Sequence, residues 1–79
     1  MNLVELKKKL DDLGIDEQAY SLGNAIEDEQ YCMEKIGRKW HYYYSERGQK
    51  AGERSFEKES EACEYMYSIL KSDPTVKSR

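Results

Sequence analysis

Two runs of alternating side chains flank Gly37-Arg38, and this arrangement constrains the fold more than any other part of the sequence. The runs cover residues 31–36 and 39–45. Glycine at the first central position of a two-residue loop is typical of a type II′ turn, which connects antiparallel strands. We therefore predict a β-hairpin over residues 30–46.

The turn also sets the register of the hairpin, with residue 36 opposite residue 39. Because successive residues of a strand point to opposite sides, the side chains separate into two faces. One face is almost wholly aromatic or apolar and carries Tyr31, Met33, Trp40, Tyr42 and Tyr44. The other face carries Cys32, Glu34, Ile36, His41 and Tyr43. We expect the first face to pack against the core and the second face to meet water or a partner.

The N-terminal segment has the start, stripe and stop signals of an amphipathic helix. Asn2 is a favourable N-cap, and Glu5 follows three residues later. Leucines recur three or four residues apart on one face, at positions 3, 6, 10 and 13. Gly14 follows, where helices often end in left-handed backbone. We predict a helix over residues 3–13, then one helical turn capped by Asp16.

The C-terminal half predicts one short strand and one helix. Residues 46–52 contain two glycines and indicate a turn, and a short strand is expected at residues 53–56. Apolar side chains then recur at helical spacing, and Asp73-Pro74 is a stop signal. We predict a helix from residue 57 or 58 to residue 71.

A chain of 79 residues allows one domain with one small core. The predicted elements define an α+β fold: an N-terminal helix, a three-stranded antiparallel β-meander and a C-terminal helix. Both helices are expected to pack on one face of the sheet, where they would cover every apolar stripe. We expect the domain to span residues 1–74 and the polar tail, residues 75–79, to be disordered.

The charge of the chain is unevenly distributed. Residues 1–37 carry 4 basic and 9 acidic side chains, whereas residues 38–79 carry 9 basic and 7 acidic ones. The acidic peak Glu27-Asp28-Glu29 lies in a polar stretch, residues 25–29, that follows a turn signal at Gly23-Asn24. It is either a solvated loop or an anionic patch that attracts a cationic partner. Direct nucleic-acid binding is not expected, because phosphates require a basic stripe.

The sequence contains no apolar run long enough for a transmembrane helix or a secretory signal. We therefore expect a cytoplasmic protein without membrane association. Cys32 and Cys63 are too few for a disulfide framework and are expected to be reduced, packed thiols. Together with the single histidine, they do not provide the four paired ligands of a structural zinc site. We expect no metal and no cofactor.

We call the second hairpin face, which is expected to meet water or a partner, the outer hairpin face. Two of its features have both a structural and a functional interpretation. His41 lies opposite Glu34 in the predicted register, which indicates either a cross-strand surface pair or a tuned general base. Tyr43 lies near Ile36 on a mostly polar face, which indicates either a scattered surface aromatic or part of a protein interface. Base stacking is a weaker interpretation, because the neighbouring aromatic residues are needed in the core.

The run from Lys39 to Gly48 (KWHYYYSERG), with Phe56 and the acidic segment from Glu57 to Tyr65, resembles a group of small bacterial immunity proteins. These proteins are made alongside polymorphic toxins, including contact-dependent growth-inhibition toxins. The resemblance covers about residues 31–74. It implies a protein that binds a cognate toxin domain, in many cases a nuclease, and blocks it. It implies no catalytic residues.

We therefore expect an immunity protein that occludes a toxin domain and is a monomer or weak dimer when free. The candidate contacts are Glu27, Asp28, Glu29, Glu34, His41, Tyr43, Glu46 and Arg47, and Glu17 is a further acidic candidate. Arg47 would either brace the turn through Glu46 or pair with an acidic residue of the toxin. The alternatives are a homodimeric adaptor, which would use exposed sheet edges or Tyr43, and a small enzyme that would use His41 and Glu34.

Overall fold

The computed structural model describes residues 1–22 and 29–76. Two α-helices and a four-stranded sheet form a mixed α+β fold: α1 (Leu3–Asp12), β1 (Tyr20–Leu22), β2 (Gln30–Ile36), β3 (Lys39–Glu46), β4 (Gln49–Phe56) and α2 (Glu59–Ser72). Short 3-10 helices at Glu17–Ala19 and Pro74–Val76 precede β1 and follow α2. The α+β prediction is confirmed, but the sheet contains one strand more than the sequence indicates.

Helix α1 begins and ends as its terminal residues predict. The N–H of Glu5 donates to Asn2 Oδ1 at 2.9 Å, which satisfies an end group of the helix. Gly14 has a φ of 75°, and the N–H of Ile15 donates to the carbonyl of Leu10 at 3.0 Å. These contacts form a Schellman motif, and it turns Ile15 back into the core.

Helix α2 starts later than predicted, at residue 59, and ends at Asp73-Pro74 as expected. Thr75 and Val76, which we assigned to the tail, belong to the 3-10 helix, and the Val76 carbonyl accepts a hydrogen bond from the N–H of Asp16 at 2.8 Å. The remainder of that tail, residues 77–79, lies outside the described residues. This hydrogen bond connects the 3-10 helix after α2 to the segment that follows α1.

The central hairpin has the predicted register. Ile36 pairs with Lys39, Met33 with Tyr42, and the remaining pairs follow without a shift. Gly37 has a φ of 64°, whereas Arg38 is not among the residues with positive φ, as a type II′ turn requires. The strands extend one residue further than the two predicted runs at their open end, to Gln30 and Glu46.

The first strand of the sheet was not predicted. Residues 20–22 form β1, which pairs in parallel with β2, so that Tyr20 lies beside Tyr31. Asp16 caps the preceding 3-10 turn as expected, because its side chain accepts a hydrogen bond from the N–H of Gln18. The sheet order is therefore β1-β2-β3-β4, an antiparallel meander with a parallel strand at one edge.

The prediction of a turn over residues 46–52 was wrong. The turn is only Arg47-Gly48, with φ values of 50° and 77°, and β4 begins directly after it. Tyr42 pairs with Arg54 but Tyr44 pairs with Ala51, so β4 carries one extra residue between these pairs. This is a β-bulge, and Gly52 provides it with a φ of 62°. The bulge interrupts the alternation of side chains, which concealed the first half of the strand.

The core lies between the helices and one face of the sheet, and it contains the predicted hairpin side chains Met33 and Tyr42. Leu6 and Leu10 of α1 and Met66 and Leu70 of α2 are fully buried in the same cluster. Tyr31 and Trp40 are partly buried against it. The assignment of this face to the core is thereby confirmed for these four hairpin side chains, whereas the fifth, Tyr44, is not part of the cluster.

The opposite sheet face is less open than predicted. Tyr43 is only 3% exposed and Cys32 is fully buried, whereas Ile36 is 52% exposed as expected. Lys50 Nζ lies 4.6 Å from the centre of the Tyr43 ring and 3.7 Å from Glu34 Oε1. The long lysine side chain therefore lies across this ring, a contact between strands that hairpin alternation alone does not reveal.

Candidate functional site: a tyrosine cleft

The side chains of four tyrosines form an open cleft at the end of the sheet where β3 turns into β4. It has a volume of about 360 Å³ and lies between the sheet and α2. The cleft is lined by Tyr31, Tyr42, Tyr44, Ala51, Gly52, Tyr65 and Ile69. We refer to these seven residues as the tyrosine cleft.

The sheet register and the bulge together produce this cleft. Tyr31 of β2, Tyr44 of β3 and Ala51 of β4 lie side by side in one row across three strands. In this row β4 contributes only a methyl group, and the neighbouring Gly52 contributes no side chain. Space therefore remains between the tyrosine rings and α2, from which Tyr65 and Ile69 close the opposite side.

The rings of the cleft contact one another mostly edge to face. The centroids of Tyr31 and Tyr44 are 4.9 Å apart with an interplanar angle of 62°, and those of Tyr42 and Tyr65 are 5.0 Å apart at 76°. Such pairs are stabilising beyond the area they bury. Tyr42 is buried, whereas Tyr31, Tyr44 and Tyr65 are partly exposed. The exposed surfaces of these rings are therefore held in place by the contacts between the rings.

Asp73, directly after α2, adds a negative charge beside these rings. The hydroxyl of Tyr31 donates to Asp73 Oδ2 at 2.7 Å, and the N–H and hydroxyl of Thr75 donate to Oδ1 at 2.9 and 2.6 Å. The hydrogen bonds from Thr75 and then Tyr31 lower the pKa of the Asp73 carboxyl. Asp73 is therefore ionised at neutral pH and fixed in orientation.

Two further acidic residues lie in the same part of the sheet as Tyr44. Glu29 is next to Gln30, and its N–H donates to the Ser45 carbonyl at 2.6 Å, while Glu46 ends β3. Burial is the main reason that the pKa of the Tyr44 phenol is raised, and the charges of Glu29, Glu46 and Asp73 raise it further. We refer to Glu29, Glu46 and Asp73 together as the acidic rim of the cleft.

The buried phenols predict a loss of stability at alkaline pH. Burial raises the pKa of Tyr42 from its ordinary value of 10.0 to about 12, and burial followed by the contact with Asp73 raises that of Tyr31 as well. Between pH 10 and 12 the unfolded chain loses these protons while the folded chain retains them, so folding becomes less favourable. The buried thiols Cys32 and Cys63, whose ordinary pKa is 9.0 and is raised by burial, add to this loss from about pH 9. Urea unfolding should therefore show a decrease in stability that begins near pH 9 and steepens above pH 10.

The variant Tyr42→Phe is the control for this pH dependence, since it keeps the ring and removes the ionising group. Its stability should decrease less steeply between pH 10 and 12 than that of the unsubstituted protein. Equal urea midpoints at pH 9 and pH 11 for the unsubstituted protein would contradict the buried state of these phenols.

The predicted contact residues lie in two separate places. Glu29, Glu46 and Arg47 lie at the end of the sheet that holds the tyrosine cleft, with Arg47 in the β3–β4 turn. Glu34 and His41 pair across the hairpin towards its other end, and the Glu34 carboxylate is paired with Lys50. Glu27 and Asp28, like the predicted turn at residues 23–24, lie outside the described residues.

Tyr43 is not available as the exposed ring that the sequence indicated, because the fold buries it. The two thiols are both unoxidised and buried. Burial raises the pKa of Cys63 to about 11 and, as the main cause, also raises that of Cys32. Both cysteines therefore remain protonated at neutral pH, as expected for packed thiols.

Sequence reasoning missed the cleft because it assigned three of its tyrosines to a closed core. The sequence did contain one signal of the cleft. Ala51 and Gly52 are small residues beside the aromatic strand β3, and they leave space that larger side chains would fill. Within residues 1–22 and 29–76, no group of His, Cys, Asp and Glu side chains is arranged to hold a metal ion.

No protein-family model matches the chain, and no curated protein or solved structure is significantly similar to it. Among the described residues, no helix has the length and apolar character needed to cross a membrane.

Proposed function

We propose that this chain is a cytoplasmic immunity protein that binds a cognate bacterial toxin domain and neutralises it by stoichiometric occlusion. The observation that supports this most is the tyrosine cleft with its acidic rim. Tyrosine is enriched in protein interfaces, where its rings give a large contact area at a low cost in side-chain entropy. The occluded part of the toxin would be its active site or substrate groove.

Electrostatic complementarity favours a nuclease domain as the target. A nuclease requires a cationic groove for its phosphate substrate. The rim carboxylates Glu29, Glu46 and Asp73 would attract such a groove and disfavour partners with acidic surfaces. The proposed contact surface therefore moves from the outer hairpin face, where Tyr43 is buried and Glu34 is paired with Lys50, to the cleft and its rim.

The edges of the sheet favour a free monomer over a homodimeric adaptor. Strand β4 is exposed along its edge, but it carries Lys50, Glu53 and Arg54 and is bent by the bulge at Gly52. Charged side chains and bulges on an edge strand oppose pairing with a second copy. Strand β1 at the other edge has only three residues. The buried Tyr43 is not available for the alternative dimer face.

Co-expression with a candidate toxin domain whose gene neighbours that of this chain tests the proposal. The toxin domain alone should arrest growth, and growth should recover when this chain is produced at the same time. The two proteins should then purify together as a one-to-one complex. Continued arrest, with the chain present in folded form and no complex formed, would reject the proposal.

A further inference from the structure

We propose that the tyrosine cleft receives an arginine side chain of the partner protein. The partner's identity rests on the proposed function, whereas the cleft's preference for a guanidinium group is a property of this chain alone. Three observations lead to this inference: the arrangement of the rings, the negative charge around them, and the position of the chain's own cations. Each is independent of which toxin the partner is.

The rings provide the π surface that a cation requires. A guanidinium or ammonium group is attracted to the face of a tyrosine ring within about 6 Å of its centre. Tyr31, Tyr44 and Tyr65 line one cavity and are partly exposed there. The volume of about 360 Å³ exceeds what one arginine side chain needs, so the flanking backbone of the partner would also fit at the mouth.

The charges around the cleft select a cation over a neutral apolar group. Asp73 accepts a hydrogen bond from the Tyr31 hydroxyl at 2.7 Å. Glu46 lies two residues beyond Tyr44 at the end of β3, and the N–H of Glu29 donates to the carbonyl of Ser45, the residue after Tyr44. The C-terminus of α2 also lies here, and a helix of 14 residues places partial negative charge at that end. An anionic occupant would be repelled by each of these groups.

Nearby lysines are directed elsewhere and do not neutralise this charge. Lys50 Nζ is close to Tyr43 and Glu34 on the opposite sheet face. Lys71 Nζ is 5.7 Å from the ring of Tyr67, which is not part of the cleft. These two side chains therefore do not satisfy the electrostatic preference for a cation.

Of the arginines, Arg54 has its guanidinium near Tyr65 and Arg47 lies in the β3–β4 turn. The position proposed for a partner's guanidinium is therefore at Tyr31 and Tyr44.

Arginine is expected to fit this cleft better than lysine because of the chemistry of the guanidinium group, and the fold shows that a guanidinium can lie against one of the cleft rings. Arg54 Cζ lies 5.7 Å from the centre of the Tyr65 ring, so one cleft tyrosine already has a guanidinium neighbour. A planar guanidinium stacks on aromatic rings and is less strongly hydrated than an ammonium group. A second guanidinium entering from the rim would lie against Tyr31 and Tyr44 and reach the carboxylates.

The test uses the purified chain without any toxin. Acetyl-arginine amide and its uncharged analogue acetyl-citrulline amide are titrated while the ring-proton resonances of Tyr31 and Tyr44 are followed by NMR. We expect saturable shifts with the arginine compound and an affinity about tenfold lower for the citrulline compound. The matching lysine compound is acetylated on its α-nitrogen and keeps a free, charged ε-amino group. It should bind more weakly than the arginine compound.

Variants locate the binding. Tyr44→Ala should abolish the saturable shifts of the Tyr31 ring, and Glu46→Gln, at an exposed position, should weaken binding several-fold without affecting folding. Glu57→Gln, which removes a charge at another exposed position, after β4, should leave the affinity unchanged. The proposal is overturned if citrulline or lysine binds as well as arginine, or if the shifts occur away from the cleft. In that case a toxin complex could still form, and co-expression would show it.

Discussion

Replacing Leu10 by alanine is expected to cost about 2–5 kcal/mol of unfolding free energy. Leu10 is fully buried in the cluster that joins both helices to the sheet. Its removal leaves a cavity that α1, fastened at both ends by its caps, cannot close. A chain of 79 residues has a total stability of roughly 4–12 kcal/mol. The variant should therefore unfold at much lower urea concentration, as followed by circular dichroism.

Val4→Ala in the same helix is the matched control. Val4 is 79% exposed, so its truncation should change the unfolding free energy by less than about 0.5 kcal/mol. Similar losses for the two variants would mean that α1 does not pack through its leucine stripe, and the described core would then be incorrect.

If the proposed function is correct, the variant Tyr44→Ala is expected to weaken the proposed complex with a toxin domain about 30-fold or more. Tyr44 is half-buried, packs edge to face on Tyr31 and lies next to the acidic rim. An aromatic side chain that is held rigid before binding contributes contact area without a large entropy cost, which is typical of interface hot spots. The affinity is measured by titration calorimetry with purified proteins.

Two companion variants distinguish this effect from a loss of fold. Tyr44→Phe keeps the ring and should keep most of the affinity. Ile36→Ala truncates an exposed side chain at the hairpin turn, away from the cleft, and should bind like the unsubstituted protein. An unchanged affinity for Tyr44→Ala, or a larger loss for Ile36→Ala, would place the interface on another surface.

Local chemistry made several parts of the fold predictable. Asn2 and Gly14 define the ends of α1 through hydrogen bonds within a few residues of the chain. Gly37-Arg38 determines the hairpin register, because a two-residue loop leaves one way of pairing the strands. The stop signal at Asp73-Pro74, which ends α2, likewise depends only on residues that are neighbours in the sequence.

The features that were missed depend on contacts between distant residues. Strand β1 has three residues and no alternation long enough to recognise, and it exists because β2 pairs with it in parallel. The bulge at Gly52 shifts the side-chain alternation of β4, so its first half resembled a turn. The burial of Tyr43 depends in part on Lys50 from the next strand. The tyrosine cleft requires β2, β3, β4 and α2 together.

Titrating the activity of the toxin domain with increasing amounts of this chain tests the central claim most directly. Stoichiometric occlusion predicts a linear decrease that reaches zero at one equivalent, as long as the toxin concentration is well above the dissociation constant. No inhibition at several equivalents would contradict the proposed function. Complete inactivation by a small fraction of an equivalent would mean turnover, and would favour the enzyme alternative at His41 and Glu34.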